Sequence, residues 1–134
     1  MKKQIINPPE LLSPKGFSHG IVTSGGRMLF LAGQDATGED GRLVAPGDLV
    51  AQFDQVLSNL RAVVVAAGGR MQDIVKLNIY VLDRDDYAAK RNSLGRIWSN
   101  YLGDYYPAIA LFEIAGLFAK EALVEIEGIA VLDQ

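Results

Sequence analysis

The sequence predicts an α+β domain in which a mixed β-sheet carries two helices on one face. Three observations support this fold class. Strand-like and helical segments follow one another in the order β-β-α-β-α-β-β. The helical segments place apolar residues at helical spacing, and the closing strands carry apolar groups on both faces. With 134 residues the chain has the size of one compact domain, so we expect a single domain over residues 1–134.

The first strands are predicted at Ile21–Thr23 and Met28–Ala32, two short apolar segments. The sequence between them, Ser24-Gly25-Gly26-Arg27, is typical of a hairpin turn, so we expect the two segments to pair with each other. Residues 35–47 contain several glycines together with acidic residues, and this composition predicts a surface loop.

Two amphipathic helices flank a central strand. The first begins at Leu49, where Asp48 is suited to cap the free N–H groups of the first turn, and it ends at Gly68-Gly69. Ile74–Val81 is rich in β-branched residues and predicts a strand. The second helix is predicted from about Asp86 to Leu102, with an uncertainty of roughly 2 to 4 residues at each end.

The two closing strands are predicted within Tyr106–Ala115 and Glu121–Val131. Because side chains alternate along a strand, Ile109 and Leu111 share one face while Ala108 and Phe112 share the other. Both faces therefore carry apolar groups, although the two helices cover only one of them. We expect the second face to be buried by other copies of the chain.

Composition limits the classes of function. With 13 basic and 16 acidic residues the net charge is -3, the wrong sign for a protein that binds nucleic-acid backbones, so no nucleic-acid partner is expected. The chain has no cysteine, which excludes disulfides, zinc-thiolate sites and thiol catalysis. The apolar run Ala62–Ala67 is far shorter than the about 20 residues needed to cross a bilayer, and Met1–Gln4 leads into no signal-peptide core. We expect a cytoplasmic protein without membrane association.

Several short motifs occur in a characteristic order. They are Gly16-Phe17-Ser18-His19-Gly20, Leu31-Ala32-Gly33-Gln34, Asp73-Ile74-Val75-Lys76, Asp86-Tyr87-Ala88 followed by Asn92, and the two closing strands. Together they resemble the Rid (YjgF-type) reactive-intermediate deaminase family over residues 15–132. The resemblance implies a chorismate-mutase-like fold and a homotrimer whose three active-site clefts lie at subunit boundaries. It implies a small-molecule ligand and no metal or organic cofactor.

The resemblance also implies which residues form the site. Gly33 corresponds to a glycine whose backbone lines the cleft, and Asn92 to an asparagine near it. Glu125 corresponds to the catalytic glutamate that positions the hydrolytic water. Backbone groups at Gly33 and Ala110 are expected to hold the developing charge.

Three substrate-binding positions depart from the family pattern. Ile109 takes the place of the arginine that holds the substrate carboxylate, a bidentate contact that an aliphatic side chain does not make. Phe17 replaces a tyrosine and so lacks its hydroxyl, and Leu111 stands where many members have cysteine. These departures predict an apolar pocket and a substrate other than the usual 2-imino acids.

Other polar residues have two interpretations each. His19, the single histidine, suits a general base or a ligand contact, or else a surface or hydrogen-bonded structural role. Arg27, Arg91 and Arg96 are candidates to replace the missing arginine; we favour a solvated turn for the first and an exposed helix surface for the other two. Glu113 either contacts the cleft or pairs across a subunit boundary.

Three functions follow from these observations. The first is hydrolytic deamination of a small imine, enamine or related activated carbon-nitrogen compound at intersubunit clefts. The second is a trimer that binds a small molecule or a partner protein without turnover. The third is an endoribonuclease activity, attached by name to some relatives, which the charge balance ranks last.

Overall fold

A computed structural model describes all residues, 1–134. A short 3-10 helix, Met71–Asp73, precedes the fourth strand. The remaining elements, in chain order, are β1 (Lys2–Ile6), β2 (Gly20–Ser24), β3 (Arg27–Gln34), α1 (Leu49–Ala66), β4 (Ile74–Val81), α2 (Arg84–Ala89), α3 (Arg91–Leu102), β5 (Ala108–Glu113) and β6 (Val124–Leu132).

The main sheet has four strands in the order β3-β6-β4-β5. β6 pairs antiparallel with both β3 and β4, whereas β5 runs parallel to β4 at the edge of the sheet. The predicted mixed sheet of an α+β domain is confirmed. The two closing strands are not neighbours, because β4 lies between them.

The predicted hairpin between the second and third strands is wrong. β2 pairs with β1, with Ile6 opposite Gly20, while β3 pairs with β6, with Phe30 opposite Ile129. The turn at Gly25-Gly26 therefore carries the chain from one sheet to another. The break between the two strands was predicted correctly, and both glycines there have positive φ, 72° and 83°. However, each strand finds its partner in a segment distant in sequence.

The first helix agrees with the prediction at both ends. The Asp48 side chain accepts a hydrogen bond from the Ala51 N–H at 3.0 Å, and the helix stops before Gly68, whose φ is 87°. The second predicted helix is in fact two, α2 and α3, separated at Lys90 (φ -102°, ψ 12°). The backbone of Lys90 departs only slightly from helical angles and needs no proline or glycine to do so. The sequence therefore contains no signal for a break between two helices.

The core lies between one face of the sheet and the pair α1 and α3. Phe53 and Leu57 of α1 are fully buried against inward-facing residues of β4 and β6 such as Ile79 and Ile126. None of the helices is long and apolar enough to span a bilayer.

The opposite face of the sheet is uncovered. Met28 is 60% exposed and Phe30 is 70% exposed, which is unusual for large apolar side chains on a regular strand. We call this surface the open face; its side chains belong to Met28, Phe30, Lys76, Asn78, Tyr80, Ala108, Ala110, Phe112, Glu125, Glu127 and Ile129. The predicted uncovered apolar face is therefore present.

Candidate functional site

An apolar cavity of about 310 Å³ lies between the β5 edge of the sheet and α3. Its size is within the range of small-molecule sites, roughly 300 to 1,000 Å³. Phe17, Ile109 and Leu111, three of the predicted site residues, line it together. The other lining residues are Lys15, Gly16, Phe53, Ile79, Tyr87, Arg91, Leu94, Gly95 and Trp98.

Strand register explains why Ile109 and Leu111 point into this cavity. They lie opposite Leu77 and Ile79 of β4, both buried in the core. Residues opposite each other in neighbouring strands share a face, so Ile109 and Leu111 face the helices. With an isoleucine where the resemblance implies an arginine, this wall of the cavity offers no charge.

The loop that carries Phe17 is fastened to the start of β5. The Ser18 N–H donates to the Pro107 carbonyl at 2.9 Å, and the Ser18 hydroxyl donates to the Tyr106 carbonyl at 2.6 Å. Ser18 is one of few buried polar residues, and both of its hydrogen bonds compensate for its loss of water. This attachment holds the Phe17 ring over the cavity.

His19 lies beside Phe17 and does not line the cavity. Its Nε2 is 2.7 Å from the Leu12 carbonyl oxygen, to which it donates, and its ring meets the edge of Phe17 at a centroid distance of 5.0 Å. Its backbone N–H donates to the Asn7 side chain at 2.8 Å. These contacts match the structural interpretation of His19, as a support for Phe17.

Tyr87 supplies a polar group to the cavity wall. Burial raises the pKa of its phenol to about 12, so the hydroxyl stays protonated at neutral pH. The hydroxyl makes no hydrogen bond within the chain, and the ring packs against Phe53 at a centroid distance of 6.3 Å. Tyr87 is therefore a neutral donor available to a ligand.

Two cations, Lys15 and Arg91, line the same cavity. Both side chains are exposed, and neither forms a salt bridge or a side-chain hydrogen bond. The other candidate arginines lie elsewhere: Arg27 donates to the Asp133 carbonyl at 3.3 Å, and Arg96 donates to the Ser93 hydroxyl at 3.2 Å. Arg91 is exposed on α3 as we favoured, yet it also borders the cavity.

The predicted catalytic residue, Glu125, lies on the open face. It is opposite Tyr80 in the register of β6 and β4, and the Tyr80 ring stacks on Phe112 at 5.5 Å on that same face. Its neighbour Glu127 accepts a hydrogen bond from the Tyr80 hydroxyl at 2.6 Å, and this bond is the main cause of the raised pKa of Tyr80.

Glu125 itself has no hydrogen-bond partner in the chain. Desolvation by burial raises the pKa of its carboxyl above the usual range, and the negative charges of Asp35 and Glu127 raise the pKa further. The carboxylate lies against Gly33, where an added Cβ would be 2.5 Å from its Oε2. A partly buried carboxylate with a raised pKa and free oxygens is suited to proton transfer.

A single chain does not bring Glu125 to the apolar cavity. Glu125 and Gly33 lie on the open face, whereas Ile109 and Leu111 lie on the helix-facing side of the same sheet. The predicted site residues thus form two groups separated by the sheet.

Asn92 and Glu113 belong to neither group. The Ala110 side chain lies on the open face, since Ala110 is opposite Asn78 and two residues before Phe112. Asn92 is exposed in a shallow polar groove along α3, beside the cavity. Glu113 accepts a hydrogen bond from the Arg84 N–H at 3.0 Å, at the start of α2. Just after β5, the Ile114 N–H donates to the Val81 carbonyl of β4. Peptide groups of every second residue in a strand point the same way, so the N–H and C=O of Ala110 also point toward β4 and are used within the sheet.

The same alternation leaves the backbone N–H of Leu111 at the free edge of β5. A free donor beside the cavity is a candidate for binding a negatively charged atom, and it comes from Leu111 rather than from Ala110.

The comparison with known proteins identifies the family. The model of the family described as Endoribonuclease L-PSP matches residues 9–132. The chain belongs to this family. A RutC family protein from Pyrococcus horikoshii is 33% identical over 124 residues, which are 92% of this chain and 91% of the relative.

Further relatives connect the L-PSP family with the Rid name and with one activity. The structure of YyfB from Yersinia pestis, a protein of the Rid family, is 37% identical in sequence and superposes with a TM-score of 0.86. The alignment covers 98% of this chain and 100% of YyfB. A 2-iminobutanoate/2-iminopropanoate deaminase from Dermatophagoides farinae is 30% identical over 132 residues, 98% of each chain. The predicted Rid membership and chorismate-mutase-like fold are confirmed.

Sequence analysis did not assign Lys15 or Trp98 to the cavity, and it considered Arg91 only as a less favoured replacement for the missing arginine. A signal was present for two of them: Arg91 and Trp98 are seven apart, with Gly95 between, and this spacing places all three on one side of α3. Only the packing of α3 against β5 shows that this side faces a cavity.

Proposed function

We propose that the protein is a deaminase-type hydrolase of the Rid family, acting on a small imine, enamine or related activated carbon-nitrogen compound. The observation that carries the proposal is Glu125, an unpartnered carboxylate of raised pKa held against Gly33 on the open face. The name of the deaminase relative from Dermatophagoides farinae supports the same reaction class.

The proposed assembly is a homotrimer. Burying Phe30 and its apolar neighbours on the open face removes a large exposed surface from water, which favours association. In a ring of three, the β5 edge of one copy meets the open face of the next. The cavity of one copy and Glu125 of its neighbour then form one cleft, which accounts for their positions on opposite faces of a single chain.

The proposed reaction begins with water attack on the carbon of the C=N bond. Glu125 accepts a proton from the water as the new C–O bond forms and the C=N π electrons move to nitrogen, and it then gives that proton to the nitrogen. In the resulting carbinolamine the hydroxyl proton passes through Glu125 to the nitrogen as the carbonyl group forms, the C–N bond breaks, and ammonia or an amine leaves. The raised pKa of Glu125 lies closer to neutral pH than that of an ordinary glutamate. A general base is most effective when its pKa is close to the pH at which the enzyme works.

The test measures ammonia release from freshly generated imines. We expect Glu125→Gln to abolish the release, because an amide does not accept the proton. Glu39→Gln, a change at an exposed loop residue, is the matched control and should keep full activity. Full activity in Glu125→Gln would contradict the proposed role.

A second candidate is a trimer that binds a small molecule without turnover. It is favoured by the apolar side chains at Phe17, Ile109 and Leu111, which all lack the polar groups of the family pattern. Ligand binding in the clefts together with no hydrolysis of any imine tested would support it.

Endoribonuclease activity ranks third despite the family description. The net charge is -3, and on the open face Glu125 and Glu127, with Asp35 nearby, outnumber Lys76, so the phosphate backbone of RNA meets net negative charge there. We expect no RNA binding at physiological salt. Salt-resistant cleavage of RNA that is lost in Glu125→Gln would reverse this ranking.

A further inference from the structure

We infer that Lys15 and Arg91 form an anion site at the mouth of the apolar cavity, so that the ligand is a carboxylate carrying an aromatic or short aliphatic body. The body occupies the cavity, and the carboxylate meets the two cations. This inference rests on the proposed function in taking the cavity as the substrate-binding part of the cleft.

The two cations are free to bind an anion. Two acidic side chains near α2 are already engaged: Asp86 pairs with Lys90 at 2.8 Å, and the Asp83 side chain accepts the N–H groups of Asp85 and Asp86. The Asp85 side chain has no partner and does not line the cavity. No acidic residue lines the cavity. Within one chain, a carboxylate bound there would therefore meet two positive charges and no protein carboxylate. In the proposed ring, Glu125 of the neighbouring copy lies in the same cleft.

The cavity beneath the cations suits an apolar body. Phe17, Ile109, Leu111 and Trp98 form most of its wall, and its volume is about 310 Å³. A dry apolar cavity of roughly 150 Å³ holds one benzene molecule, so this cavity has room for a ring with a short chain. Tyr87, whose hydroxyl is neutral, also lines it.

Gly95 lies on α3 between Arg91, at the charged mouth of the cavity, and Trp98, in its apolar wall. Arg91, Gly95 and Trp98 follow one another on the same side of α3, and all three line the cavity. A Cβ built at Gly95 meets nothing within 4 Å, so the space there is open. A glycine in the middle of a helix lowers helix stability, and here it leaves the passage clear.

The position of the charge sets the shape of the ligand. The resemblance places the carboxylate-binding cation on β5, at position 109, where this chain has isoleucine. Here the cations lie instead on α3 and on the loop before Phe17, at the exposed side of the cavity. A short 2-imino acid has no apolar body to fill the remaining space, whereas an arylalkanoate has one.

The test is equilibrium binding of phenylpropanoate, with phenylpropanamide as the neutral probe of the same shape, measured by calorimetry at low salt. We expect wild-type protein to prefer the acid by about tenfold or more, since a hydrogen bond to a charged group is worth roughly 1.5 to 3 kcal/mol. Arg91→Gln should lose most of this preference and Lys15→Gln part of it. The amide should bind equally to all three proteins.

Two further variants control the experiment. Arg96→Gln removes a positive charge from the same helix outside the cavity and should leave both affinities unchanged. Gly95→Leu should fold, because leucine is the better helix former, and should exclude both probes by filling the passage. Equal affinity of wild-type protein for acid and amide, unchanged acid binding in Arg91→Gln, or no binding of either probe would overturn the inference.

Binding and catalysis are separable in this design. Glu125→Gln should keep the preference for phenylpropanoate over the amide, because Lys15 and Arg91 are unchanged and the variant only removes a negative charge from the shared cleft. Carboxylate-selective binding without any ammonia release would leave the anion site standing and remove the proposed hydrolase. Hydrolysis of neutral imines without any preference for a carboxylate would support the proposed hydrolase and contradict the anion site.

Discussion

The Glu125 carboxylate occupies the space that a side chain at Gly33 would need, since a Cβ there would lie 2.5 Å from Oε2. Gly33→Ala should therefore displace Glu125. The side-chain end can swing away, so we expect only a small change in melting temperature. A catalytic group moved by about 1 Å can lose up to roughly 100-fold in rate, and we expect kcat/KM to fall by at least about tenfold.

Gly38→Ala is the control for this prediction. An added Cβ at Gly38 has its nearest neighbour at 3.6 Å, an ordinary contact, so both activity and melting temperature should stay at wild-type values. Equal kcat/KM for Gly33→Ala and Gly38→Ala would show that the close approach has no catalytic role.

The pH dependence of stability is the second prediction, and it concerns Glu125. Its pKa is raised in the folded chain, so the protonated form is favoured by folding, and this contribution is lost as the pH rises through the folded pKa. Glu125→Gln should therefore melt at a higher temperature than wild-type protein at pH ~7, with the difference vanishing below the unfolded pKa of ~4.3. A variant less stable than wild-type protein at neutral pH would contradict the burial of an unpaired carboxylate.

Assembly is the third prediction. Wild-type protein should scatter light as a particle of about three times 14.5 kDa. Phe30→Glu places a charge on the open face and should yield monomers, because burying an unpaired carboxylate costs several kcal/mol. Val65→Glu alters a side chain of similar exposure on α1 and should leave the trimer intact. A wild-type protein that is monomeric at micromolar concentration would exclude the shared clefts.

The fourth prediction concerns Ile109. Because this chain has no arginine on β5 to orient a short carboxylate, we expect wild-type protein to give little or no acceleration of hydrolysis of short 2-imino acids. Ile109→Arg should gain activity, and Glu125→Gln in that background should remove it. Ile109→Lys should gain less, since an ammonium does not form the bidentate contact. Wild-type hydrolysis as fast as that of an arginine-bearing relative would show that another cation already orients these substrates.

The signals that the sequence revealed are local ones. Asp48 caps its helix and Gly68 follows its end as predicted, because each effect depends on backbone groups within one turn. The pairing of β2 was not predicted, because its partner is the distant segment Lys2–Ile6. Local turn residues do not encode that choice.

The sequence also did not predict that the site residues lie on opposite faces of the sheet. The alternation of side chains along a strand shows which residues of that strand share a face. Whether Glu125 lies on the same face as Ile109 of another strand depends on the register between the strands. A slip of one residue between β4 and β6 would move Glu125 to the side of Ile109. The register is set by the buried residues Ile79 and Ile126, which lie opposite each other in the assembled sheet.

The placement of Glu125 and the cavity on opposite faces has a genetic consequence. In the proposed ring, each copy lends its carboxylate to one neighbour and its cavity to the other. Glu125→Gln and Gly95→Leu would each give an inactive protein alone, yet a mixed ring of the two contains one cleft in which an intact cavity meets an intact carboxylate. Two defective alleles expressed in one cell would then complement each other within a single oligomer, as they would not if each chain held a whole site.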